Sequence, residues 1–320
     1  MMEPFSSRFF KLMKASSRHN LSRPLALTLF GLVVLSWGGN WAFTKIVVTQ
    51  VPALWTTAIR CMIASVALLC ILVIRGQLVI PKKGDVPVVL AVSLLHMVAF
   101  STLVAYGLKF VPLGRSIVLG YTTPLWVVPG AFFFLKERLY RAQAIGIGLG
   151  LVGLLWMFNP GAFDIHDRNA LIGNGALLLA AFCWAANIIY VRAHRWVSTP
   201  FQLVMWQTLL ASLILTTLAF WLDGAPQIDW SPRLVMAMLY GGIVGTALAY
   251  WAMAMINRSL PAATTALGLL ATPVIGVACS AVGFDEPIGP SLAISMLLIL
   301  GGISIGTFSQ PKQTITPKPG

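Results

Sequence analysis

Ten long apolar runs, separated by short stretches that hold most of the charges, organise this chain. Each run is apolar on all sides and long enough to cross a hydrocarbon core of about 30 Å, which takes roughly 20 residues as a helix. The pattern predicts helices at about 25–47, 55–74, 87–108, 113–135, 142–158, 170–191, 201–222, 234–256, 262–283 and 289–308. Membrane strands need short segments of alternating polarity, which these runs lack. The expectation is an all-α membrane protein.

The pattern also repeats. Residues 36–43 (SWGGNWAF) recur about 147 positions later as CWAANIIY at 183–190. With an offset of about 149, Pro112 falls on Pro261, Thr123-Pro124 on Thr272-Pro273, Glu137 on Glu286 and Gly153 on Gly302. Five runs lie in each half, and an odd number of crossings forces the second copy to insert upside down. Two inverted five-helix repeats, 25–158 and 170–308, are therefore expected, flanked by tails at 1–24 and 309–320. Such pairs are the usual build of a secondary transporter, with substrate bound near the bilayer midplane.

Composition agrees: the 320 residues are 58% hydrophobic and 10% charged, against about 25% charged in a soluble globule. The formal charge of +13 would suggest nucleic acid in a soluble protein, but here the cations are sorted by loop. Arg75, Lys82, Lys83, Lys136, Arg138, Arg141, Arg192, Arg195 and Arg258 collect on the side of the N-terminus, which places both termini in the cytoplasm. No nucleic-acid partner is implied; the partners are a lipid bilayer and a small-molecule substrate. The first apolar run lacks a small-residue cleavage site and reads as a true span. The basic segment before it reads as a disordered tail or a surface helix on anionic headgroups. The four cysteines have no metal-like spacing, and no metal or cofactor is implied.

The segments 106–126 (YGLKFVPLGRSIVLGYTTPLW), 134–139 (FLKERL) and 146–153 (GIGLGLVG), with their counterparts at 258–274, 284–287 and 301–306, resemble the repeat of the EamA-type transporters of the drug/metabolite transporter superfamily. Asp285 is a departure, since a glycine is common there. The resemblance implies an inner-membrane exporter or permease with a cavity between two five-helix repeats, moving amino acids, other metabolites, nucleotide sugars or drugs.

Within the spans, Trp37/Asn40 and Trp184/Asn187 share the i, i+3 spacing that sets each Trp beside its Asn on one face. They are either interhelical glue or paired substrate contacts. Thr122 and Trp126 lie on the face of the fourth span that Arg115 begins, a stripe suited to stacking a ring and pairing a carboxylate, or simply to packing. Tyr250 and Trp251 add rings in the eighth span. His96, the one histidine within a span, is a candidate for a proton-linked step or a hydrogen-bonded packing residue. Arg60 corresponds to Gln207 of the second half and reads as structural. Pro124 and Pro273 occupy matching places and suggest hinges for gating, while Glu137 and Glu286 are expected to cap the fifth and tenth helices.

Phosphorylated cargo would need clustered cations, which the spans lack, so amino acids with apolar or aromatic side chains are the expected cargo. They would pass by alternating access through a cavity lined by the first, third, fourth, sixth, eighth and ninth spans. A drug or nucleoside-type exporter of the same fold is the alternative. From other classes, a passive channel would show unsaturable flux. A membrane enzyme would need a nucleophile with its base, and no Walker loop, HExxH or GxSxG motif is present.

Overall fold

In hydrocarbon each backbone N–H and C=O needs an internal partner, so apolar runs of this length resolve as helices. The computed structural model describes residues 21–136, 140–157, 167–259, 269 and 271–308. Both predicted tails except residues 21–24, Glu137, Pro261 and the predicted start of the ninth span fall outside these residues. In chain order the helices are α1 Arg23–Val48, α2 Ala53–Ile74, α3 Val86–Phe110, α4 Leu113–Leu135, α5 Arg141–Met157, α6 Arg168–Ala193 and α7 Pro200–Leu222. Next come α8, running through Pro232–Leu239, Tyr240–Leu248 and Ala249–Ser259, then α9 Ala271–Gly283 and α10 Pro290–Phe308. Among the described residues, α1 to α4 and α6 to α8 are long and apolar enough to cross a membrane, whereas α5, α9 and α10 are shorter apolar helices. Phe134, Leu155, Val282 and Leu297 point outward, as side chains facing lipid would.

Local chemistry sets the helix starts. Asp167 accepts from the N–H groups of Asn169 and Ala170, Ser231 accepts from Leu234, and Thr199 forms a reciprocal capping box with Gln202. Two helices change register at matching points: α3 is π-helical over Val92–Phe100 and α8 over Tyr240–Leu248, nine residues each. In α8 the carbonyls of Val244 and Gly245 accept from Ser36 Oγ and Trp37 Nε1 of α1 at 3.1 and 3.2 Å. The sequence carries no sign of this widening. By contrast α4 breaks at Tyr121–Thr122, just before Pro124, as a proline in the first turn of a new helix demands.

Packing couples the two halves of the chain. α5 lies along α10, α2 along α7, α1 along α9, and α4 along α6. Gly302 meets α5 so closely that a Cβ there would stand 3.0 Å from Gly150 N, and a Cβ at Gly153 would stand 3.0 Å from Ser295 O of α10. Ser65 Oγ of α2 bonds Thr208 Oγ1 of α7 at 3.0 Å.

Carboxylates tie the halves at both ends of α3. Asp85, fully buried, accepts from Val197 N and Ser198 N at 3.0 Å each, beside His194. Burial alone would raise its carboxyl; the bonds from Ser198 and Val197 and the nearby His194 together outweigh burial and hold it below its ordinary value. At the other end, about 37 Å away for 25 helical residues, Glu286 accepts from Leu113 N and Gly114 N at 2.8 and 3.0 Å. This corrects the expectation that Glu286 caps the tenth helix: it caps α4. The reason lies in two neighbours. Pro112 offers α4 no capping side chain, and Asp285 takes the left-handed conformation (φ 51°) beside the glutamate. A glycine adopts that φ freely, and Lys136, at the matching position of the first half, takes it too (φ 55°).

Candidate functional site

A cavity of about 510 Å³ opens among α1, α2, α3, α6, α7 and α8, with Tyr121 at the α4 break reaching its wall. Its size lies within the roughly 300–1,000 Å³ of small-molecule sites. The sequence reading puts the fourth and ninth spans on the wall and leaves out the second and seventh. The packing of α2 on α7 brings Thr56, Thr57, Arg60, Val204 and Gln207 to the wall instead. No residue of α9 among those described takes part.

Rings are prominent on the wall, and several of them touch in sequence. Trp37 meets Tyr250 edge-on at 6.1 Å, Tyr250 hydroxyl bonds His96 Nδ1 at 3.0 Å, and His96 stacks parallel to Trp184 at 5.7 Å. Phe100 and Tyr121 continue the chain from Trp184 at 5.0 and 6.2 Å, and Trp41 lies 6.2 Å beyond Tyr121. Such contacts fix the ring orientations. The π-helical turns of α3 and α8 bring His96 and Gly245 to this wall.

The polar groups are few. Asn40 and Asn187, the two amides picked out by the repeat, both line the cavity, and the Oδ1 of each has no donor among the described residues. Asn40 fits only because α8 carries glycine opposite it: a Cβ at Gly245 would collide with its side chain. Among the described residues lining the cavity, Arg60 is the one Lys or Arg, and none is Asp or Glu.

Six of the residues singled out from sequence thus surround the space: Trp37, Asn40, His96, Trp184, Asn187 and Tyr250. Four others sit elsewhere. Arg115 Nε donates to Asn174 Oδ1 at 2.8 Å, Thr122 is buried with its hydroxyl on Leu119 O, and Trp126 packs edge-on against Phe182. Trp251 is buried with the Arg75 guanidinium 5.8 Å from its ring. The stripe from Arg115 to Trp126 assumed an unbroken helix; the break at Tyr121–Thr122 resets its phase. Pro124 and Pro273 lie in the first turns of the second segment of α4 and of α9. Arg60 was passed over as a binding residue because its counterpart Gln207 is neutral, yet both positions face the cavity.

The chain matches the model of the EamA-like transporter family over residues 24–159 and again over 171–308. Among similar proteins is the "Uncharacterized transporter YoaV" of Bacillus subtilis, 25% identical over 283 residues that cover 88% of this chain and 97% of the relative. Proteins named "Probable amino-acid metabolite efflux pump" from Salmonella typhimurium and Escherichia coli are 29% and 27% identical, each over 87% of this chain and 93% of their own. One solved crystal structure, 25% identical in sequence, superposes with a TM-score of 0.63 over 90% of this chain and 98% of the other.

Proposed function

Because the chain belongs to the EamA-like transporter family, we propose that this transporter exports amino acids with apolar or aromatic side chains across the inner membrane by alternating access. The observation that carries the reading is the cavity with its chain of rings, its two amides and no carboxylate among the described lining residues. Rings offer stacking surface to an apolar side chain, and the amides orient polar groups. The absence of clustered cations on the wall argues against a pyrophosphate. Two relatives named as amino-acid metabolite efflux pumps point the same way.

The architecture in this reading is ten transmembrane helices in two inverted five-helix repeats, 25–158 and 170–308, with both termini cytoplasmic. Support comes from the matching π-helical segments, the matching left-handed turns at Lys136 and Asp285, and the pairing of α5 with α10 and α2 with α7. Pro124 and Pro273 serve as hinges where each half bends. The cavity, at the join of the halves, is the fixed site about which they rock.

The test is counterflow. Proteoliposomes loaded with unlabelled l-phenylalanine should accumulate external labelled l-phenylalanine transiently and saturably, and Trp184→Ala should weaken this while the protein still purifies as a folded species. Transport of a phosphorylated compound with no amino-acid counterflow contradicts the proposal.

A further inference from the structure

Arg60 stands about two turns into α2, counting from Ala53. Its Cγ and Cδ pass Gly241 of α8, at 3.8 and 3.6 Å from where a Cβ there would stand, and Asn40 Oδ1 lies 3.5 Å from the same point. The glycine therefore admits the arginine and the amide side by side. The guanidinium donates to no partner among the described residues: none of the hydrogen bonds or ion pairs there engages Arg60, and the described residues lining the cavity include no Asp or Glu. Half-buried at the cavity wall, its guanidinium fork is free to match a carboxylate by two parallel bonds. Beside it, the Oδ1 atoms of Asn40 and Asn187 lack donors.

We infer that Arg60 seats the carboxylate of the transported molecule, with the Asn40 and Asn187 oxygens accepting from its ammonium and the rings of Trp37, Trp184 and Tyr250 holding its side chain. The inference rests on the transport reading above and narrows it to α-amino acids with one carboxylate. At the matching position the second half carries Gln207, so among the described lining residues one half alone offers a cation and a second acidic group finds no partner.

Purified full-length protein is tested for binding of radiolabelled l-phenylalanine, displaced by phenethylamine, which lacks the carboxylate, and by 3-phenylpropionate, which lacks the ammonium. Wild-type protein should prefer l-phenylalanine over phenethylamine by about 10- to 100-fold, the worth of a hydrogen bond to a charged group. Arg60→Gln, which copies the other half, should cut that preference about tenfold or more while leaving the affinity for phenethylamine nearly unchanged. Equal wild-type affinity for the two compounds overturns the inference without reference to any variant. Wild-type preference retained in folded Arg60→Gln overturns it as well. Wild-type protein that binds and transports none of the three sinks the proposed function and the inference together. Counterflow of l-phenylalanine with no carboxylate preference sinks the inference alone.

Discussion

Two successive backbone N–H groups, those of Val197 and Ser198, end on the single carboxylate of Asp85. Bonds to a charged acceptor are worth about 1.5–3 kcal/mol each, and an amide in its place turns a donor toward the same N–H groups. Asp85→Asn is therefore expected to lower the melting temperature in detergent at neutral pH. Because the folded carboxyl sits below its ordinary value, its contribution is complete above the unfolded value of about 3.9 and fades as pH falls through the folded one. The difference in melting temperature between wild type and Asp85→Asn should accordingly be constant above about pH 5 and shrink below about pH 4. A difference that stays constant below pH 4 would show that the carboxylate is not what stabilises this end. At the same scale, Trp37, Asn40, Trp184 and Asn187 were legible because the repeat sets them in register, and the cavity wall holds all four. Arg60 was not legible. The symmetry that exposed the amides argued against an arginine paired with a glutamine, and only packing reveals that α2 faces the cavity. Arg115 misled in the opposite direction: the stripe it begins pointed to a substrate carboxylate, whereas Asn174 of α6 supplies its acceptor.

Among the elements, the α5–α10 pair depends on glycine at the point of closest approach. A Cβ on Gly302 would run into Gly146 O and stand 3.0 Å from Gly150 N, both backbone, so the helices must part to admit it. Overpacking of this kind costs about 1–3 kcal/mol. Gly302→Ala is expected to lower the melting temperature by several degrees, whereas Gly301→Ala, with nothing within 4 Å of its Cβ, should leave it within about a degree. Equal melting of the two variants would contradict close α5–α10 packing. Helix existence was readable from hydropathy, and α1 at Arg23–Val48 or α7 at Pro200–Leu222 differ from 25–47 and 201–222 by one or two residues. The π-helical segments were not readable, since one extra residue per turn leaves no mark on an all-apolar run. Nor was the reach of Glu286 across to α4, which depends on a tertiary contact between loops far apart in sequence.

For the whole molecule, the Asp85 clamp at one end and the Glu286 clamp at the other each bind the first half of the chain to the second. In the proposed alternating access, rocking of one half against the other would loosen these two contacts in turn. The central claim is that the cavity between the halves is reached from one face of the membrane and then the other. It is tested most directly with protein in which Cys61, Cys70, Cys183 and Cys279 are replaced by alanine and Thr44, on the cavity wall, is changed to cysteine. In oriented sealed vesicles, a membrane-impermeant thiol reagent should label Thr44→Cys from either face, and saturating l-phenylalanine should change the two labelling rates in opposite directions. Labelling from both faces that substrate leaves unchanged, as in an open pore, or labelling from neither face, would contradict the account.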